Sequence, residues 1–107
     1  MAFQFVYMTT GSLEEAQRIG EVLVKEKLAA CVNILDAMQS LYIWDGALQK
    51  DREVVMIAKT ARARVPELVA RVKTLHSYDC PCIVTFEIDG GNADFLQWIG
   101  AAVRPGD

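Results

Sequence analysis

The 107-residue chain contains a single histidine, three cysteines and three prolines, and its 14 acidic side chains outnumber the 11 basic ones by only three. Each scarcity excludes something. Three cysteines at 31, 80 and 82 are too few and too unevenly spaced for a disulfide framework, so reduced thiols in a cytoplasmic protein are expected. Lys and Arg scattered among Asp and Glu leave no positive patch, which sets aside nucleic acid and anionic membrane surfaces as partners. No apolar run reaches the roughly 20 residues of a membrane span. The opening MAFQFVYMTTG lacks the basic head, apolar core and cleavage site of a signal peptide, and reads as a first strand. A single histidine also leaves Ser or Cys nucleophiles short of a base and a group to orient it, and DGGN (89–92) lacks the spacing of a phosphate loop. No enzyme activity is expected.

What the chain has in quantity is apolar side chains, 52% against 23% charged. At this length that builds a core for one domain over residues 1–107, with more apolar surface than a small monomer hides. AFQFVYMTT alternates as strand one, with Phe3, Phe5 and Tyr7 on one face and Val6 and Met8 on the other. Ser12 followed by Glu15 fits a capping box, and Leu13, Ala16, Ile19 and Leu23 recur at helical spacing to about Leu28. From Ala29, two β-rich stretches flank an Asp45-Gly46 turn and predict a long hairpin. TARARVPELVARVKTLH (60–76) returns to helical period, with Thr60 as the expected cap and Pro66 in the first turn. CIVTFEID gives a fourth strand, and ADFLQWIGAAV a terminal helix.

The order β-α-β-β-α-β-α predicts an α+β, ferredoxin-like split βαβ fold with an antiparallel sheet and both main helices on one face. VVMIA (54–58) is apolar at five consecutive positions, so both faces of its strand need cover. The helices cover one, and further copies of the chain are the expected cover for the other.

KLAACVNI (27–34), SLYIWDG (40–46), EVVMIAKT (53–60), LHSYDCP (75–81) and GNADFLQWI (91–99) stand in an order and spacing that resembles the CutA divalent-cation-tolerance family over the whole chain. The resemblance implies a homotrimer similar in architecture to the PII signalling proteins, with the hairpin reaching a neighbour, and a role in binding copper or other divalent metal ions. It also implies an alternative, a regulatory or scaffolding trimer that holds a small molecule or partner protein in clefts between subunits.

Copper and zinc sites want several imidazole and thiolate ligands converging on one point. LHSYDCPCIV (75–84) offers His76, Cys80 and Cys82, but H-x3-C-x-C is not the spacing of a zinc knuckle. His76 reads equally as the cap of the second helix and Cys82 as a small core residue. Some members of the family carry a cysteine at the position of Met8, implicated with the histidine in copper binding. The resemblance therefore names His76 and Met8, a soft thioether, as metal candidates. Cys31 matches the family pattern, and reads either as a packed thiol or as a secondary metal candidate. Cys82 departs from the family, which usually has Glu after the proline. Tyr42, Trp44, Glu53, Lys59, Tyr78 and Trp98 are the candidates for an inter-subunit cleft, with anchoring of the trimer interface as the alternative for the aromatics.

Overall fold

The computed structural model describes residues 1–105. Phe3–Thr10 forms strand β1, Leu13–Lys25 helix α1, Cys31–Trp44 and Ala47–Ala61 the hairpin strands β2 and β3. A 3₁₀ turn at Arg62–Arg64 leads into helix α2 (Val65–Leu75), strand β4 (Ile83–Ile88) and helix α3 (Ala93–Ala102). The sheet runs β2-β3-β1-β4 with every neighbouring pair antiparallel, the ferredoxin-like arrangement that the element order predicts.

Helix α1 starts where Ser12, extended at φ −150°, accepts the Glu15 N–H at 3.1 Å, and Glu14 and Glu15 place negative charge at the positive end of the helix. It ends in a Schellman motif: Lys27 turns to φ 60°, and the Leu28 N–H reaches back to the Leu23 carbonyl at 2.9 Å. Helix α2 is built differently from expectation. Thr60 does not cap it, because β3 runs on through Ala61 to pair with Phe3. The Thr60 hydroxyl, fully buried, instead donates to the Leu28 carbonyl at 2.7 Å. Pro66 does lie in the first turn, where its missing N–H costs nothing.

Strand alternation sends Val6, Met8, Val54, Met56 and Ala58 toward the helices, where they pack with Ile19, Leu23, Leu68 and Val72 as the main core. Each of these Val, Leu, Ile and Met side chains contributes roughly 1.5–3 kcal/mol by leaving water. The intervening residues Phe5, Tyr7, Val55, Ile57, Val84 and Phe86 point to the other face. One end of that face is covered by α3, whose Ile99 and Val103 pack on Phe3, Ala30 and Ala61, and at the other end Thr9 and Val55 are buried. Val84 and Phe86 stay half exposed.

β1 pairs with β3 only over Val54–Ala61, so the rest of the hairpin leaves the body as a two-stranded arm. The arm stretches the chain to 45 × 26 × 21 Å with a radius of gyration of 14.5 Å, against about 13 Å for a compact domain of this length. At its tip Asp45 (φ 52°) and Gly46 (φ 78°) form the type I′ turn that matches strand twist. At its root lies a β-bulge. Leu35 pairs with Val55 but Met38 pairs with Glu53, so β2 carries one surplus residue there. Ala37 sits at φ 68°, and its N–H donates to Asp36 Oδ1 at 2.6 Å. Bulges bend a strand and tighten its twist.

Candidate functional site

The turn from α2 to β4 is a corner built on His76. Its backbone N–H closes the helix on the Val72 carbonyl at 2.9 Å, and its side chain is wholly shielded from solvent. Nε2 lies 2.8 Å from the Thr9 carbonyl oxygen, and Nδ1 lies 3.0 Å from the Tyr78 backbone nitrogen. A carbonyl only accepts and an amide N–H only donates, so both contacts are satisfied by the neutral ring with its proton on Nε2. Both nitrogens are thereby engaged.

Glu15 braces the same corner from α1. Its carboxylate accepts the Ser77 N–H at 2.7 Å and the Ser77 hydroxyl at 3.1 Å, and lies 3.7 Å from His76 Nδ1. Burial pushes the carboxyl up, but the two Ser77 hydrogen bonds and the Gly11 N–H outweigh it and hold it below its usual range. The capping-box pattern thus yields one half of the box, the Ser12 cap, while the Glu15 side chain serves the corner.

Tyr78 carries the corner across to the arm. Its ring stands 4.8 Å from the His76 ring, and it packs over Gly11, where a Cβ would come within 3.2 Å of the phenol oxygen. The hydroxyl donates to Glu53 Oε2 at 3.0 Å. Burial, and then this carboxylate, push the phenol up to about 12. On the arm itself the Tyr42 hydroxyl donates to Asp51, and that bond raises the Tyr42 phenol.

Between corner and arm opens a cleft of about 500 Å³. Tyr42, Trp44 and Tyr78 form its aromatic wall, Glu53 and Asp79 supply carboxylates, Cys80 and Cys82 supply sulfur, and Thr9 and Gln49 complete the lining. Burial pushes the Cys82 thiol up, partly offset by a hydrogen bond with the Thr9 side chain.

Four of the six residues expected in a cleft, Tyr42, Trp44, Glu53 and Tyr78, therefore meet within one chain. Lys59 and Trp98 do not join them. Lys59 shares a face with Glu53 but lies six residues along β3, about 20 Å away, with its ammonium on Asn33 Oδ1. Trp98 stacks on Phe95 within α3 at 5.4 Å. The metal candidates are not brought together either. Met8 is fully buried in the helix-side core, whereas Cys31 pairs with Lys59 on the opposite face of the sheet. Among the described residues, no group of three His, Cys, Asp or Glu side chains is placed to hold an ion. Sequence reasoning passed over Gln49 and Asp79 in the cleft and Glu15 behind the corner. Gln49 shares the period-two spacing of Glu53, and that parity is the signal that finds it.

The family model of the CutA1 divalent ion tolerance protein matches residues 4–102. The chain belongs to the CutA1 family. A CutA1 relative, the divalent-cation tolerance protein CutA of Archaeoglobus fulgidus, is 43% identical over 94% of this chain and 97% of its own. The solved structure of CutA from that organism, described as periplasmic, covers 95% of this chain and 99% of its own at 42% identity with a TM-score of 0.93. Crystalline CutA1 from Oryza sativa covers 99% of this chain and 97% of its own at 36% identity with a TM-score of 0.96. Among the described residues, no helix is long and apolar enough to cross a membrane.

Proposed function

We propose that this CutA1-family chain works in divalent-cation tolerance as a cytoplasmic homotrimer, a binding rather than catalytic protein, that takes up copper or other divalent ions at the cleft between corner and arm. The observation that supports the reading is that Glu53, Asp79 and two thiols line one cleft, whose Tyr78 wall rests on the buried His76 ring. Carboxylate, imidazole and thiolate are the ligand classes that copper and zinc use. His76 holds the cleft wall in place, and offers Nδ1 to an ion once the Tyr78 N–H lets go. Met8, next to Thr9 in β1, is reached only by such rearrangement, and Cys31 lies outside the cleft. Trimer assembly covers the apolar arm and the open sheet face, and brings Lys59 and Trp98 to a neighbour's cleft.

Native mass spectrometry of the reduced protein titrated with copper(II) and zinc(II) tests this reading. Trimers with one ion per chain are expected, and the uptake falls away in Glu53→Gln/Asp79→Asn and in His76→Ala. Monomers, or diffuse uptake that the variants leave unchanged, would sink it.

The aromatic wall favours the second reading, a PII-like regulatory or scaffolding trimer. A volume of about 500 Å³ lies in the range of small-molecule sites. Under this reading a small organic ligand shifts Trp44 fluorescence, and Trp44→Phe removes the signal.

A further inference from the structure

Cys80 and Cys82 line the same cleft, flank a single proline and stand as free thiols. Proline fixes its own φ and pushes the residue before it toward extended backbone, and Cys80-Pro81-Cys82 leads from a bend into β4. Two residues of extended chain separate α-carbons by about 6.5–7 Å, at the upper limit for a disulfide. A metal ion bound between two sulfurs relaxes that limit. Two metal–sulfur bonds of about 2.3 Å in line set the sulfurs about 4.6 Å apart, more than twice the disulfide bond length.

From this we infer that Cys80 and Cys82 form a bis-thiolate site for monovalent copper and like thiophilic ions, built into the wall of the cleft. The inference rests on the reading of the cleft as the place where ions are handled, and it assigns the ligands and the class of ion. Thiolates select soft ions, and copper(I) is the soft ion of the first transition row. Zinc asks for four ligands in a tetrahedron, and among the described residues no third His, Cys, Asp or Glu is placed to complete such a set. A linear soft ion needs only two. Binding breaks two S–H bonds, releases both protons to solvent and forms two S–Cu bonds, with no change in oxidation state. Glu53 and Asp79 remain outside the coordination, and their negative charge draws the cation into the cleft. Cys31, paired with Lys59 on β3, lines no part of this cleft and serves as an internal control.

The test is anaerobic titration of the reduced protein with copper(I) against a chromophoric chelator, for wild type, Cys31→Ser, Cys80→Ser, Cys82→Ser and the 80/82 double variant. Wild type and Cys31→Ser are expected to take one copper(I) per chain with equal affinity. Either single variant at 80 or 82 should weaken binding by more than the 10–100-fold typical of losing an outer supporting residue, and the double variant should go little further. Alkylation guards against misfolded variants. Bound copper(I) should shield Cys80 and Cys82 of the wild type from iodoacetamide and leave Cys31 unshielded. Full affinity in the double variant, loss that follows Cys31, or no protection at 80 and 82 would each overturn the inference.

The copper(II) and zinc(II) titrations separate the two claims. Divalent uptake without copper(I) uptake sinks the bis-thiolate site alone. Copper(I) at the two cysteines without divalent uptake sinks the broader reading alone.

Discussion

Two apolar regions of this molecule share their chemistry and differ in their fate. Along β3, Val54, Met56 and Ala58 are at most 2% exposed, whereas on the arm Leu41, Ile43, Trp44 and Leu48 stand 57–65% exposed. Side-chain type does not separate them. Topology does, because both split βαβ crossovers lay their helices on the same side of the sheet and neither extends past the body. The body thus completes its own core, while the arm holds apolar surface that one chain leaves wet.

The sharpest way to break the comparison is to charge the arm. Leu41→Lys/Ile43→Lys should reduce the assembly to single chains by light scattering while leaving the circular dichroism of the body in place, since both side chains are already exposed in the single chain. A persisting trimer would remove the arm from the interface. The body answers differently. Leu23→Ala, at a fully buried position, should cost about 2–5 kcal/mol in urea unfolding at fixed subunit concentration. A loss below 1 kcal/mol would mean that this core is not packed as described.

Smaller effects come from the corner that joins the two regions. His76→Ala leaves the Thr9 carbonyl and the Tyr78 N–H without their partner, at a cost of about 1–3 kcal/mol. An equally stable variant would leave the imidazole no structural part. The smallest effect is on pH dependence. Because the folded Glu15 carboxyl lies below its usual value, its stabilisation is complete above the ordinary carboxylate range, near 4.3, and disappears as pH falls through the folded value. Unfolding midpoints of wild type and Glu15→Gln should therefore differ at pH 7 and converge as pH falls below the ordinary carboxylate range. Parallel curves would rule out this linkage.

Local chemistry made much of this architecture legible. Alternation in AFQFVYMTT separated Met8 from Phe5 and Tyr7, the Ser12 cap marked the start of α1, and Asp45-Gly46 marked the arm's turn. The five-residue apolar run of β3 disclosed two faces in need of cover. What stayed hidden depends on contacts between distant residues. Thr60 has cap chemistry, but its hydroxyl is spent on the Leu28 carbonyl 32 residues away. Glu15 looks like a capping-box partner until Ser77, 62 residues on, is folded against it. The cleft joins a hairpin tip to a helix-end corner, and no spacing within either segment announces that Trp44 and Cys80 share a wall. The same holds for the metal candidates: the family resemblance nominates Met8, Cys31 and His76, but sheet parity sets Met8 and Cys31 on opposite faces.

The surplus residue at the root of the arm has a consequence for evolution and engineering alike. Because the type I′ turn fixes pairing from Trp44↔Ala47 back to Met38↔Glu53, and the body fixes it from Cys31↔Lys59 to Leu35↔Val55, the two registers differ by one step absorbed at Asp36 and Ala37. Deleting Ala37 merges them without moving any side chain to the wrong side of the ladder, and it also removes the positive φ that a β-carbon resists. Such a chain keeps every paired strand and loses only its elbow. The direction in which the exposed apolar arm leaves the sheet is thus set by a single inserted residue, separately from everything that packs the body.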